Sequence, residues 1–182
     1  NVPAPRPWEY ASPLFGRSAP QKGSATGIAI NESRLATSVI LRGGSLYCAH
    51  TAFIPDAGPL RTRGVAQWWE LGLDGTIKQF GRIGEDAPEF WYGFPSIAVN
   101  ALGDIMVGYT RFAATEYASA GYSFHAAGDE PGTMQSDRIY APGRAPHVDF
   151  GGDDPADPNS ENRWGDYSAT VVDPLNDLDF WT

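Results

Sequence analysis

TSVILRGGSLYCAHT (37–51), SIAVNALGDIMVGYT (96–110) and SATVVDPLNDLDFWT (168–182) align without gaps. Each opens on a hydroxyl residue, Thr37, Ser96 or Ser168, and closes on Thr51, Thr110 or Thr182, preceded by His50, Tyr109 or Trp181. Within each copy come an apolar run, a turn rich in Gly, Asn, Asp or Pro, and a second apolar or aromatic run, the pattern of a β-hairpin. The copies start 59 residues apart (37 to 96) and 72 apart (96 to 168). Hairpin repeats at that spacing predict the blades of a β-propeller-like fold with variable outer loops.

The segments between the copies extend this pattern. After 37–41 and 45–51, a run at 64–72 (GVAQWWELG) reads as a third strand with Trp68 and Trp69 on opposite faces, and 76–80 returns after the Asp74-Gly75 turn. Gly43-Gly44 supplies the positive φ of a tight primed turn. The second copy repeats the plan with strands near 94–100, 104–110, 117–125 and 137–140. The expected fold is therefore all-β and propeller-like, with about three four-stranded antiparallel blades in a single domain. Residues 1–35 form an N-terminal arm with one short strand at 26–31, 36–93 the first blade, 94–167 the second with a long acidic loop, and 168–182 the start of a third. The arm carries five prolines, with Trp8, Tyr10 and Phe15 spaced to pack on a neighbouring surface. Because the third copy stops on its second strand, the chain reads as a piece of a longer protein. The alternative is self-association that closes the ring, with the arm completing a blade in trans.

Composition agrees. In 182 residues, 42% are hydrophobic, 19% charged and 13% aromatic, and 21 Gly with 15 Pro supply the turns that many short strands need. No long stretch has helical periodicity, and no apolar run approaches the roughly 18 residues of a membrane helix. A net charge of −9, without a Lys/Arg cluster, argues against nucleic acid as a partner. Only Lys22 and Lys78 are lysines, and an acidic, Lys-poor surface points to a secreted or extracytoplasmic setting. The single cysteine, Cys48, forms no intramolecular disulfide and reads as a small core hydrophobe. His50 shares its strand face, but two ligands make no metal site. His50, His125 and His147 suggest no nucleophilic triad, and no phosphate-binding glycine loop is present.

FPSIAVNALGDIMVGYT (94–110) and NRWGDYSATVVDPLNDLDFWT (162–182) resemble bacterial secreted β-propeller proteins distantly related to the sialidase-like and repeat-propeller superfamily, over roughly residues 35 to 182. The resemblance implies a propeller fold. NALGD (100–104) and DPLND (173–177) approximate the turn of the sialidase Asp-box, whereas no arginine triad for a substrate carboxylate is placed.

Two clusters carry the candidate chemistry. The first is the matched pair of aromatic segments that lead into the second and third copies, FWYGF (90–94) and RWGDY (163–167). Trp91, Tyr92, Arg163, Trp164, Asp166 and Tyr167 could hold a glycan by stacking and bidentate hydrogen bonds. Equally, such aromatics fill the wedge between blades. The second is the loop DFGGDDPADPNSENRWGD (149–166), where Asp153, Asp154, Asp157 and Asn159 offer hard oxygen ligands for calcium, against the plainer reading of a solvated acidic loop. The leading functional expectation is an extracellular carbohydrate- or surface-binding module. A glycan-active enzyme using carboxylates such as Glu85, Asp86, Glu89 or Asp166, and a structural or adhesive module held by calcium, are the alternatives.

Overall fold

The structure is a computed structural model that describes residues 5–8, 18–31, 33–55, 62–157 and 159–182. Every regular element among them is a strand. β1 (Ser18–Gln21) and β2 (Ser24–Ala29) form a hairpin. β3 (Ile40–Arg42), β4 (Ser45–Pro55), β5 (Thr62–Gly72) and β6 (Ile77–Ile83) make the first four-stranded antiparallel sheet. β7 (Trp91–Val99), β8 (Ile105–Ala113), β9 (Glu116–His125) and β10 (Arg138–Ala141) make the second. β11 (Val171–Val172) and β12 (Phe180–Trp181) pair as a two-stranded ribbon. Both large sheets are meanders in chain order, and among the described residues no sheet closes into a barrel. No helix among these residues is long and apolar enough to cross a membrane.

The turns follow from local chemistry. Gly43 (φ 55°) and Gly44 (φ 76°) form the two-residue link between β3 and β4, and both occupy the region that L side chains avoid. Asp74 Oδ1 accepts from the backbone N–H and the hydroxyl of Thr76 at 3.0 and 2.8 Å, which closes the β5–β6 turn. Asn100 does the same for β7–β8, where its Oδ1 accepts from the N–H groups of Leu102 and Asp104, both at 2.9 Å.

The three repeated hairpins meet at their turn ends. Arg42 pairs with Asp177, Ala101 N–H donates to Asp177 O at 2.9 Å, and Asn100 Nδ2 donates to Leu178 O at 3.1 Å. Further along, Ser96 Oγ lies 2.8 Å from Ser168 Oγ and 2.7 Å from Thr170 Oγ1. A side chain at Gly108 would collide with the Thr170 and Thr182 hydroxyls, so this glycine lets the ribbon approach β8.

The main core lies between the sheets. Tyr47, Ala49, Ala66 and Trp68 of the first face Tyr92, Ile97, Val107 and Tyr109 of the second. Trp68 is wholly buried there, while Trp69 turns to the opposite face against Phe80, with ring centroids 4.6 Å apart. A second cluster joins Ile28 and Ile30 to Phe53, Phe94 and Phe112. Trp8 packs against a third, of Ala52, Ile54 and Val65, while Tyr10 and Phe15 lie outside the described residues.

Several elements differ from the sequence reading. The N-terminal region holds a hairpin rather than one strand at 26–31: Pro20 masks β1, and the register of β1 shifts between Ala19 and Gln21, where a missing N–H is tolerated. β3 begins at Ile40 rather than at 37, and the ribbon strands are two residues each. β7 begins at Trp91 rather than 94, so residues read as a loop leading into the repeat belong to the strand itself. A register shift between Gly93 and Ser96, with Phe94 at φ 54°, accommodates the extension.

Candidate functional site

The segments that lead into the first and third repeats converge, just past the end of β2, at one cleft of about 430 Å³. Asn31, Arg34, Glu161, Arg163, Asp166 and Tyr167 give it its polar walls. None of these pieces is a strand, so each must be held by side-chain bonds. Two buried amides do most of this. Asn162 Nδ2 donates to the carbonyls of Gly27 and His147, both at 2.9 Å, and its Oδ1 accepts from Asp149 N–H at 2.7 Å. Gln21 Nε2 donates to Thr26 O and His147 O, each at 2.7 Å, while its Oε1 accepts from His147 N–H at 2.7 Å. The long polar segment before the third repeat is thereby pinned to the N-terminal hairpin, and Ala29 and Arg163 form a parallel bridge.

On that support Arg163 donates to Asp166 Oδ1 at 2.7 Å, an ion pair whose side chains stay 58% and 62% exposed. Tyr167 is 72% exposed. Asn31, at φ 58°, donates from Nδ2 to the carbonyls of Gly165 and Asp166, both at 3.3 Å, and so fixes the turn that presents the pair. Trp164 stands edge-on to His147 at 5.0 Å between ring centroids and donates from Nε1 to Thr110 Oγ1 at 3.3 Å. His147 Nε2 donates in turn to Arg163 O at 2.6 Å. Arg163, Trp164, Asp166 and Tyr167 thus form one exposed group.

Trp91 and Tyr92 do not join it. Alternation along β7 sends them to opposite faces. Trp91 packs half-buried against the cluster of Ile30, Phe94 and Phe112. Tyr92 is buried edge-on to Tyr109 at 5.1 Å, and its hydroxyl donates to Asp137 Oδ2 at 3.2 Å. Burial, with the Asp137 carboxylate nearby, pushes its phenol pKa well up. These two side chains fill the wedge between sheets.

The acidic loop is also dispersed. Asp153, Asp154, Asp157 and Asn159 are all exposed. Asp154 Oδ1 accepts from Ala156 N–H and Asp157 Oδ1 from Asn159 N–H, each at 2.9 Å, so these carboxylates cap their own turns. Among the described residues no three His, Cys, Asp or Glu side chains gather as a metal-holding group.

Below the cleft lies His50. Its Nδ1 donates to Thr51 O at 2.9 Å, and its Nε2 accepts from Trp69 Nε1 at 3.2 Å, which is the neutral tautomer with both nitrogens used. Burial lowers its pKa. Cys48 on the same face is buried, and desolvation pushes its thiol up to about 11, so it acts as a hydrophobe rather than a nucleophile.

A larger groove of about 670 Å³ runs between the second sheet and the ribbon, past Met106, Phe124, Tyr140 and Trp181. It is the half-covered face of a sheet, and Tyr122, Gln135, Ser136, Arg138 and Thr182 also line it. The smaller cleft is the stronger candidate because it sets an exposed ion pair, Arg163 with Asp166, beside the exposed phenol of Tyr167.

Asn31 and Arg34 were missed by the sequence reading. Nothing in INESR (30–34) marks them, apart from a polar end to a strand. Comparison with protein-family models, curated proteins and solved structures finds no match to this chain.

Proposed function

We propose that this chain is an extracytoplasmic glycan-binding module of propeller-like build, and that its binding site is the cleft around Arg163, Asp166 and Tyr167. One observation carries the reading: the lead-in segments of the first and third repeats, remote in sequence, come together on a single open cleft. The propeller-like build is supported by two four-stranded meanders, a third hairpin begun by the same repeat, and the linked turns of Arg42, Asn100 and Asp177 at the far end. The relation to secreted sialidase-like propellers suggested by 94–110 and 162–182 belongs to the same proposal.

The chemistry suits a sugar. A sugar presents hydroxyls that both donate and accept, and flat C–H faces. Arg163 and Asp166 offer a planar donor beside an acceptor, and Tyr167 offers an exposed ring for stacking. Their mutual ion pair is solvent-facing, so opening it toward a ligand costs little.

A glycan array screened with the full chain, followed by calorimetry on Tyr167→Ala and Arg163→Ala, tests this. Each substitution is expected to weaken binding about tenfold or more while the melting temperature stays put. Binding that survives both substitutions, or none by the parent chain, overturns the assignment. Release of product from bound glycans, lost in Asp166→Asn, would instead make the cleft an enzyme's.

A further inference from the structure

The floor of the cleft contains a group that the protein leaves unused. A cavity of about 20 Å³ lies beneath it, lined by Thr37, Ala49, His50, Thr51 and Phe94, and it shares Asn31, Arg34, Asp166 and Tyr167 with the cleft above. Thr37 Oγ1 is buried and has no hydrogen-bond partner.

The repeat makes this notable. Thr37, Ser96 and Ser168 hold the same position in the three copies. Ser96 Oγ is paired with Ser168 Oγ at 2.8 Å and Thr170 Oγ1 at 2.7 Å, and Ser168 Oγ donates to Phe94 O at 2.6 Å. In two copies the hydroxyl joins neighbouring repeats, whereas in the first it borders a cavity. A buried hydroxyl without a partner is destabilising, and valine would fill the same shape without that cost.

The polar neighbours are already engaged. His50 uses both ring nitrogens and is held neutral by burial. Asn31 Nδ2 is committed to the backbone at Gly165 and Asp166, and Asp166 Oδ1 to Arg163. The space suffices for a single oxygen, since one water needs about 10–15 Å³ of such volume. A phosphate, sulfate or carboxylate is too large for it.

We propose that this cavity is a single-oxygen socket: one hydroxyl of a neutral, hydroxylated ligand enters from the cleft and hydrogen-bonds Thr37 Oγ1. The socket rests on the glycan-binding reading of the cleft and sharpens it, because it selects a ligand end with a protruding hydroxyl. Thr37 would be a specificity residue of the cleft rather than a structural one.

The test uses the full chain with Thr37→Val and Thr37→Ser. The probes are the methyl glycosides of glucose, galactose, mannose and N-acetylglucosamine and their monodeoxy analogues, read by saturation-transfer NMR and calorimetry, with thermal melts alongside. At least one glycoside is expected to bind, and Thr37→Val should weaken it about tenfold while Thr37→Ser stays within about twofold. One monodeoxy analogue should lose the same factor against the parent and lose nothing further against Thr37→Val. The Val variant should melt at the parent temperature or above it. A lowered melting temperature in Thr37→Val but not in Thr37→Ser overturns the socket, because the hydroxyl then serves the fold. Unchanged glycoside affinity in Thr37→Val, alongside a loss in Tyr167→Ala, overturns the socket and leaves the cleft reading standing. If no glycoside binds the parent chain, both fall together.

Discussion

FWYGF (90–94) and RWGDY (163–167) hold the same place before a repeat and have matching aromatic content, yet they end in opposite environments. The first is the start of β7. It pairs with β8 through Trp91↔Phe112 and Tyr92↔Arg111, with the first sheet on one side and the β1–β2 hairpin on the other. The second is bridged to a strand at Ala29–Arg163 and reaches β8 through Trp164, while Arg163, Asp166 and Tyr167 face outward. Aromatic content alone does not distinguish core from site. What decides is whether a second layer covers the segment. A paired strand between two layers must bury alternate residues, while a bridged loop leaves them to solvent.

The largest test of this contrast is Tyr92→Ala. Removing a buried ring that packs on Tyr109 and bonds Asp137 should cost about 3–5 kcal/mol in urea unfolding, whereas Tyr167→Ala, at 72% exposure, should stay within about 0.5 kcal/mol. Similar losses for the two would dissolve the distinction.

Next comes Asn162→Ala, which removes the clasp of the exposed segment without touching the cleft walls. It leaves the carbonyls of Gly27 and His147 and the Asp149 N–H short of a partner, so a loss of about 1–3 kcal/mol is expected. Amide exchange should quicken at Ala29 and Arg163 and remain slow along β7. Equal acceleration in both places would show that the two segments are not independently anchored.

A smaller effect concerns His50, below the cleft. Burial lowers its folded pKa, so the unfolded chain binds the extra proton first as pH falls. Its contribution is complete above the unfolded value of about 6.5 and declines as pH drops through it toward the lower folded value. Relative to His50→Gln, the parent chain should lose stability below that pH, with a slope under one proton per molecule. Parallel pH curves for the two chains would mean that the ring is not held neutral.

Much of the strand plan was legible because turns and alternation are local. Gly43-Gly44 and Asp74-Gly75 mark tight links wherever they lie, and the strands near 104–110, 117–125 and 137–140 fall close to where the pattern places them, while β7 starts ahead of 94. β1 escaped notice because Pro20 obscures a strand whose irregular register lies within the hairpin. For the site, Arg163, Trp164, Asp166 and Tyr167 were readable as a group, since they are consecutive or nearly so. Trp91 and Tyr92 were not separable from them, and Asn31 and Arg34 gave no signal, being more than 120 residues away in the chain from the loop they join.

The amino-acid sequence by itself determined an all-β chain of repeated hairpins, because strand alternation and positive-φ turns depend on neighbours one to three residues away. Only the tertiary structure decided which aromatics are core, which carboxylates cap turns, and that Thr37, unlike the matched Ser96 and Ser168, is buried without a partner. Those outcomes depend on which surfaces are brought against each segment, and the groups that bury or bond a side chain here come from distant parts of the chain.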